Sequence, residues 1–185
     1  GRSILGRFLY HTPVAIDPDS LSVLLHPAKI LRERARDVPD VDEQVRAVAH
    51  RMIELMQEHE GIGLAAPQVG VAWRLFVTRH VDDRDRPGGL VYINPTIEVL
   101  DGTPAEDQEG CLSLPGVDVL IRRPISVRLR ATSLDGEEIV EECDEHFARV
   151  WQHEMDHLDG VLIIDRMNTM ERLRNRKAIR DLERA

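Results

Sequence analysis

The segment Trp151-Gln152-His153-Glu154-Met155-Asp156-His157-Leu158-Asp159-Gly160 places a His-Glu-x-x-His pattern inside an apolar rhythm. On a helix, side chains four positions apart lie one above the other. His153 and His157 can therefore offer imidazole nitrogens to one metal ion. Glu154, directly after the first imidazole, can take a proton from water activated at that ion. Ala148, Val150, Trp151, Met155, Leu158 and Val161 supply an apolar stripe at helical spacing. With Asp144 as N-cap and Gly160 as stop, the pattern predicts a buried helix. Two imidazoles leave a catalytic ion short, because such sites normally carry three protein ligands and one open position. The third ligand decides the kind of chemistry.

Outward from this helix, 185 residues fit one domain of ordinary core size, expected over 21–185. Residues 1–20, with Pro13 and Pro18, read as an irregular arm. Apolar content of 42% and charged content of 31% are those of a globular chain. A net charge of −9 argues against general nucleic-acid binding and against a specific DNA partner, while leaving room for a local basic patch. No apolar run approaches the ~18 residues of a membrane span. Arg2 and Arg7 precede no apolar signal segment, so a cytoplasmic location of bacterial type is expected. An organelle matrix or stroma after loss of a transit segment is the alternative. Cys111 and Cys143 are expected as free thiols of a reducing compartment rather than a disulfide.

Helical spacing of Val45, Val48, Ala49, Met52, Ile53 and Met56 predicts a helix from Asp42 to His59. Strands are expected at Arg74–Thr78 and Leu90–Leu100, separated by the turn-prone Asp82–Gly89. Alternation over Ile125–Ala131 predicts a half-buried strand. Asp135-Gly136 turns it into a partner ending near Val140. A last amphipathic helix is expected at about 170–183. Hairpin-linked strands outnumbering helices give an α+β class, with antiparallel sheet around the metal-binding helix.

Glu109-Gly110-Cys111-Leu112-Ser113-Leu114-Pro115 supplies a candidate third ligand. A thiolate binds zinc or ferrous iron well, although a single Cys is more often a small buried hydrophobe. Cys143, in no motif, takes that plainer reading. Taken with Gly61-Ile62-Gly63-Leu64-Ala65-Ala66-Pro67-Gln68 and with Gln152 to Leu158, the Cys111 segment resembles the second of three ordered signature motifs of the peptide deformylases. The likeness runs over roughly residues 22 to 170.

That resemblance implies hydrolysis of the formyl group from N-formylmethionyl nascent peptides. It implies Cys111, His153 and His157 as metal ligands and Glu154 as the base that becomes the acid. Gln68 and the backbone N–H of Leu112 would stabilise the oxyanion. Gly63 would align its main chain with the formyl amide, and Gly61 with it would let the peptide, extended against a strand, approach closely. Glu109, bordering the substrate site, would also be bonded to Arg123 and so steady the Cys111 segment. His146, Arg149 and Val150, one turn before His153, would border a methionine pocket with Ile62. Here His146 and Arg149 stand where the family often has apolar residues. Ferrous iron is the expected metal, with zinc, nickel or cobalt able to replace it. The C-terminal helix carries Arg172, Arg174, Arg176, Lys177, Arg180 and Arg184 against Glu171, Asp181 and Glu183. It suggests docking to ribosomal RNA near the tunnel exit, beside the plainer reading of a solvated helix. The other histidines, His11, His26, His50, His59 and His80, are expected to be solvated.

A general metallopeptidase is the alternative enzyme. It would need a third His or Glu ligand downstream of His157, where Leu158 to Asp165 offers Asp159 and Asp165 but no His. A metal-holding interaction module is the non-enzyme alternative, and Glu154 speaks against it, since a structural site has no use for a base.

Overall fold

A computed structural model describes residues 15–80 and 88–184 of the chain. Its α+β architecture is a five-stranded antiparallel sheet in chain order with three helices. The strands are β1 (Gly63–Ala65), β2 (Leu75–Thr78), β3 (Leu90–Glu109), β4 (Val119–Thr132) and β5 (Glu138–Asp144). The helices are α1 (Glu43–Glu58), α2 (Glu145–Leu158) and α3 (Thr169–Leu182).

The period-2 alternation of β2 and β3 sorts side chains between two cores. Leu75, Val77, Val91 and Ile93 face α1 and pack with Val48, Met52 and Met56. Phe76 and Tyr92 face α2 and pack with Trp151, Ala148 and Leu158. Both faces of the sheet centre are thus covered, which is why β2 is buried throughout. A third cluster joins Leu114, Val117, Val119 and Ile121 to Leu162, Ile163 and Met167, with Ala178, Ile179 and Leu182 of α3 against it.

α1 begins where its sequence signal puts it, and Asp42 caps it by accepting from the Val45 N–H at 2.9 Å. Asp144 occupies the cap position of α2 but makes no side-chain capping bond. Gly160 ends that helix at φ 74°, and a Cβ there would stand 2.6 Å from the Arg32 carbonyl oxygen. Only glycine meets both conditions.

Several expectations need correction. β3 continues past Leu100 to Glu109, and β4 begins at Val119 rather than Ile125. Register shifts near Ile93, Val99 and Asp101 break the alternation that would have revealed the extension. β5 runs beyond Val140 to Asp144 and feeds directly into α2. His26 and His80 are buried, not solvated, whereas His50 and His59 are exposed. His11, most of the expected arm and most of the Asp82–Gly89 turn lie outside the described residues. Within the arm, Pro18–Ser20 forms a 3-10 turn and Ile16 packs against the α1 core.

Candidate active site

Three segments far apart in sequence meet at one cleft. The first is β1 and the 3-10 turn Ala66–Val69 that follows it. The second is the turn after β3, where Leu114 N–H bonds to the Cys111 carbonyl at 2.9 Å. The third is the face of α2 that carries His153, Glu154 and His157. The segment before α1 ties the first two together: Leu24 N–H donates to Gln68 O at 2.7 Å and His26 N–H to Ser113 O at 2.9 Å.

Cys111 Sγ and one nitrogen each from His153 and His157 lie within 4.8 Å of one another. Cys111 Sγ stands 3.3 Å from His157 Nε2. A tetrahedral ion with bonds of about 2.0–2.3 Å separates its ligands by roughly 3.5 Å, so the spacing fits one ion. His153 Nδ1 contacts Glu109 Oε2 at 2.9 Å, which turns Nε2 toward the sulfur. Burial lowers the His153 pKa, but hydrogen bonds to Cys111 and Glu109 outweigh it and hold the imidazole well above its ordinary value. The spot between thiolate and carboxylate therefore favours positive charge. Burial, together with charge on His153, holds His157 well below its ordinary value, which keeps it neutral as a ligand must be.

Glu109 anchors this arrangement. Arg123 grips it in a two-pronged pair, Nε to Oε1 at 2.6 Å and Nη2 to Oε2 at 2.9 Å. Arg123 also donates to Asp156 at 2.9 Å. Arg149 donates to Glu109 Oε1 at 2.8 Å and to the carbonyls of Ile121 and Ala105. Its stem borders the cleft, but its charge is committed to the protein interior. This partnership has no local signal, because β3 and β4 extend further than their alternation indicates.

Glu154 is 3% exposed, and its Oε2 has no hydrogen-bond partner. Burial raises its pKa to about 7, against the lowering effect of His153. Gln68, equally buried, accepts from the Ala65 N–H through Oε1 at 2.9 Å. That leaves Nε2 to donate to Ser113 Oγ at 3.1 Å and toward Cys111 Sγ at 3.5 Å. Ser113, like Asp156 on Arg123, is a partner that sequence reasoning passed over. These groups open on a cleft of about 460 Å³, bordered by Gly61, Ile62, Gly63, Leu112, His146 and Val150. Asp159 and Asp165 are turned elsewhere, paired with Arg74 and Arg32. This removes the downstream ligands that a general metallopeptidase would need.

Residues 20–173 match the polypeptide deformylase family. The chain belongs to that family. The peptide deformylase of Thermotoga maritima is 43% identical over 155 residues, covering 84% of this chain and 92% of that protein. A solved peptide deformylase from Plasmodium falciparum superimposes with a TM-score of 0.82 at 32% identity, over 88% of this chain and 95% of that one. One from Synechococcus elongatus, solved in complex with actinonin, gives 0.80 at 38% identity, over 89% and 88%. Like other peptide deformylases, this chain is a metal-dependent hydrolase acting on formylated peptides.

Proposed function

We propose that this deformylase hydrolyses the formyl amide of N-formylmethionyl nascent peptides with Glu154 as the proton carrier. The observation that carries this reading is the buried, unpartnered Glu154 Oε2 in the same cleft as three converging metal ligands.

Cys111, His153 and His157 would hold the metal. A divalent ion bound there acidifies a water molecule and draws charge from a carbonyl oxygen. Ferrous iron is our assignment for the cell, with zinc, nickel or cobalt compatible with the same donors. Glu154, with a pKa near neutrality, is matched to taking the proton from water and returning it to the departing amine nitrogen. The C–N bond breaks, formate leaves with the added oxygen, and the methionine amino group is freed. Gln68 Nε2 and the Leu112 N–H would donate to the formyl oxygen as its negative charge grows.

β1 is the terminal strand of the sheet, so one of its edges remains for pairing with an extended peptide. Gly61 and Gly63 allow that backbone to come close. Ile62, Val150, His146 and the Arg149 stem would border the methionine side chain. Arg172, Arg176 and Arg180 of α3 are exposed and give a basic surface suited to ribosomal RNA near the tunnel exit. A cytoplasmic setting, or that of an organelle, follows from this substrate; no helix among the described residues is long and apolar enough to cross a membrane.

Anaerobic purification with metal analysis, paired with formate release from formyl-Met-Ala-Ser, tests the reading. About one iron per chain and formate equal to the amine formed are expected. Amine without formate, or no turnover by the iron-loaded protein, would refute it.

A further inference from the structure

Consecutive carbonyls of an extended chain point to opposite sides, yet those of Gly61 and Ile62 both face one residue just past the end of β2. The Arg79 N–H donates to Ile62 O at 2.9 Å, and Arg79 Nε donates to Gly61 O at 2.7 Å. The chain therefore twists between Gly61 and Ile62, immediately before β1 begins at Gly63. Glu60 leads into the twist with φ 54°, an uncommon conformation for a residue that carries a Cβ.

The carbonyl of Gly61 and the N–H of Ile62 belong to one planar trans peptide unit, so they point in opposite directions. With the oxygen held against Arg79, the Ile62 N–H is turned away from β2, toward the open edge of the sheet. No hydrogen bond among the described residues uses this N–H, and Gly61, Ile62 and Gly63 all border the substrate cleft. The unit could flip by rotation at its two ends with both neighbours in place, and the glycine at 61 makes that rotation easy. The Gly61 N–H bond to Met56 O at 2.8 Å does not oppose the flip, because it lies on the other side of the Gly61 Cα. The Arg79 guanidinium does oppose it. As a charged donor it also polarises the amide, which makes the Ile62 N–H a stronger donor in turn.

We infer that Arg79 is a positioning residue: it sets the Gly61–Ile62 peptide unit so that the Ile62 N–H meets a main-chain carbonyl of the extended substrate. The inference rests on the deformylase reading of the cleft and on peptide pairing along β1. Arg79 itself touches neither the substrate nor the metal ligands, so its effect falls on peptide binding rather than on the chemical step.

The test uses the iron-loaded enzyme and two substitutions that preserve the side-chain stem. Arg79→Met removes the donor, whereas Arg79→Gln puts a neutral N–H donor as many bonds from the backbone as Nε. Formyl-Met-Ala-Ser is compared with formylated decarboxy-methionine, which keeps the formyl amide and the thioether but ends before the first main-chain carbonyl. On the peptide, Arg79→Met should raise KM about tenfold, the ordinary worth of one hydrogen bond, and leave kcat within about twofold. Arg79→Gln should bring KM back to within about threefold of the parent value. On the short amide, kcat/KM should be the same in all three proteins. The ratio of the two substrates is taken within each preparation, so a fraction of unfolded protein does not imitate the result. Calorimetry with the product Met-Ala-Ser reads the same contact without turnover, and its Kd should follow KM. No formate release by any of the proteins, with that Kd raised in Arg79→Met alone, would sink the deformylase reading and keep the role of Arg79. An unchanged peptide KM and Kd in Arg79→Met, or an equal loss on the peptide and the short amide, would overturn it. So would a full loss in Arg79→Gln, which would assign the effect to positive charge and not to the held carbonyl.

Discussion

A Cβ added to Gly63 would stand 2.4 Å from Oε1 of Glu154 and 2.9 Å from its carboxyl carbon. The edge strand and the proposed proton carrier are thus in contact, with no room for even one methyl group between them. The carboxylate is the softer partner, so it would yield before the strand. Gly63→Ala should leave folding and metal content close to normal and lower kcat by about 10²-fold, the usual effect of misplacing a catalytic group by an ångström. Steady-state formate release and metal analysis on the same preparation decide it, and an unchanged kcat would show that Glu154 tolerates the shift.

Glu154 should trade stability for activity. Glu154→Gln keeps the volume, retains metal and lowers turnover by about 10²–10⁴. The pKa of Glu154 is raised in the folded state, from 4.5 to about 7. Its stability contribution is therefore intact below about pH 4.5 and is lost as pH rises through 7. In metal-free protein at pH 8, the Gln variant should be more stable by about 3 kcal/mol, seen as a melting point several degrees higher. At pH 5 the advantage should fall below about 1 kcal/mol. The same gain at both pH values would mean that burial of charge is not its origin.

Glu109 gives the opposite pH dependence. Burial pushes its carboxyl up, but the hydrogen bonds from Arg123 and then His153 outweigh this and hold it well below the usual carboxylate range. Such a group stabilises the fold fully above about pH 4.5, and that stability is lost as pH falls toward the depressed value. Thermal melts from pH 6 down to pH 3 should show a steep acid limb in the parent protein and a shallower one in Glu109→Gln. Arg123→Leu strands a buried carboxylate and should destabilise by about 3–5 kcal/mol. A loss below 1 kcal/mol would show that Arg149 alone can hold Glu109.

The two cysteines should behave differently. Burial and the neighbouring Glu141 push the Cys143 thiol up to about 11, so it should alkylate slowly at neutral pH. Cys143→Ser should keep metal and most activity, while Cys111→Ser should lose metal. With metal removed, iodoacetamide should mark Cys111 first by mass spectrometry. Retention of metal in Cys111→Ser together with its loss in Cys143→Ser would reverse the ligand choice. The iron-loaded enzyme should also lose activity in peroxide, since thiolate and ferrous iron both oxidise.

The parts readable from sequence were those with a local period. α1, α2 and α3 came within a residue or two of their ends because capping residues and the 3.6-residue rhythm are printed in the chain. β1 was missed since three residues, one of them Gly63, carry no alternation. The outer half of β3 loses the alternation because exposed residues occupy both of its faces from Glu98 to Pro104. Family motifs pointed to Cys111, His153, Glu154 and Gln68, but not to the hold of Arg149 on Glu109, which is long-range and follows from that hidden half-strand. The burial of His26 and His80 is likewise tertiary, and no neighbouring residue signals it.

Each strand of the sheet pairs with the next in the chain, yet the cleft is closed by contacts spanning 43 residues from Gln68 to Cys111 and 46 from Cys111 to His157. During synthesis the sheet can assemble progressively as its hairpins emerge. The site cannot, because His153, Glu154 and His157 all sit on α2, after every strand among the described residues has been made. An unfinished copy of this chain therefore has a nearly complete scaffold and no catalytic capacity until α2 docks and the metal can bind.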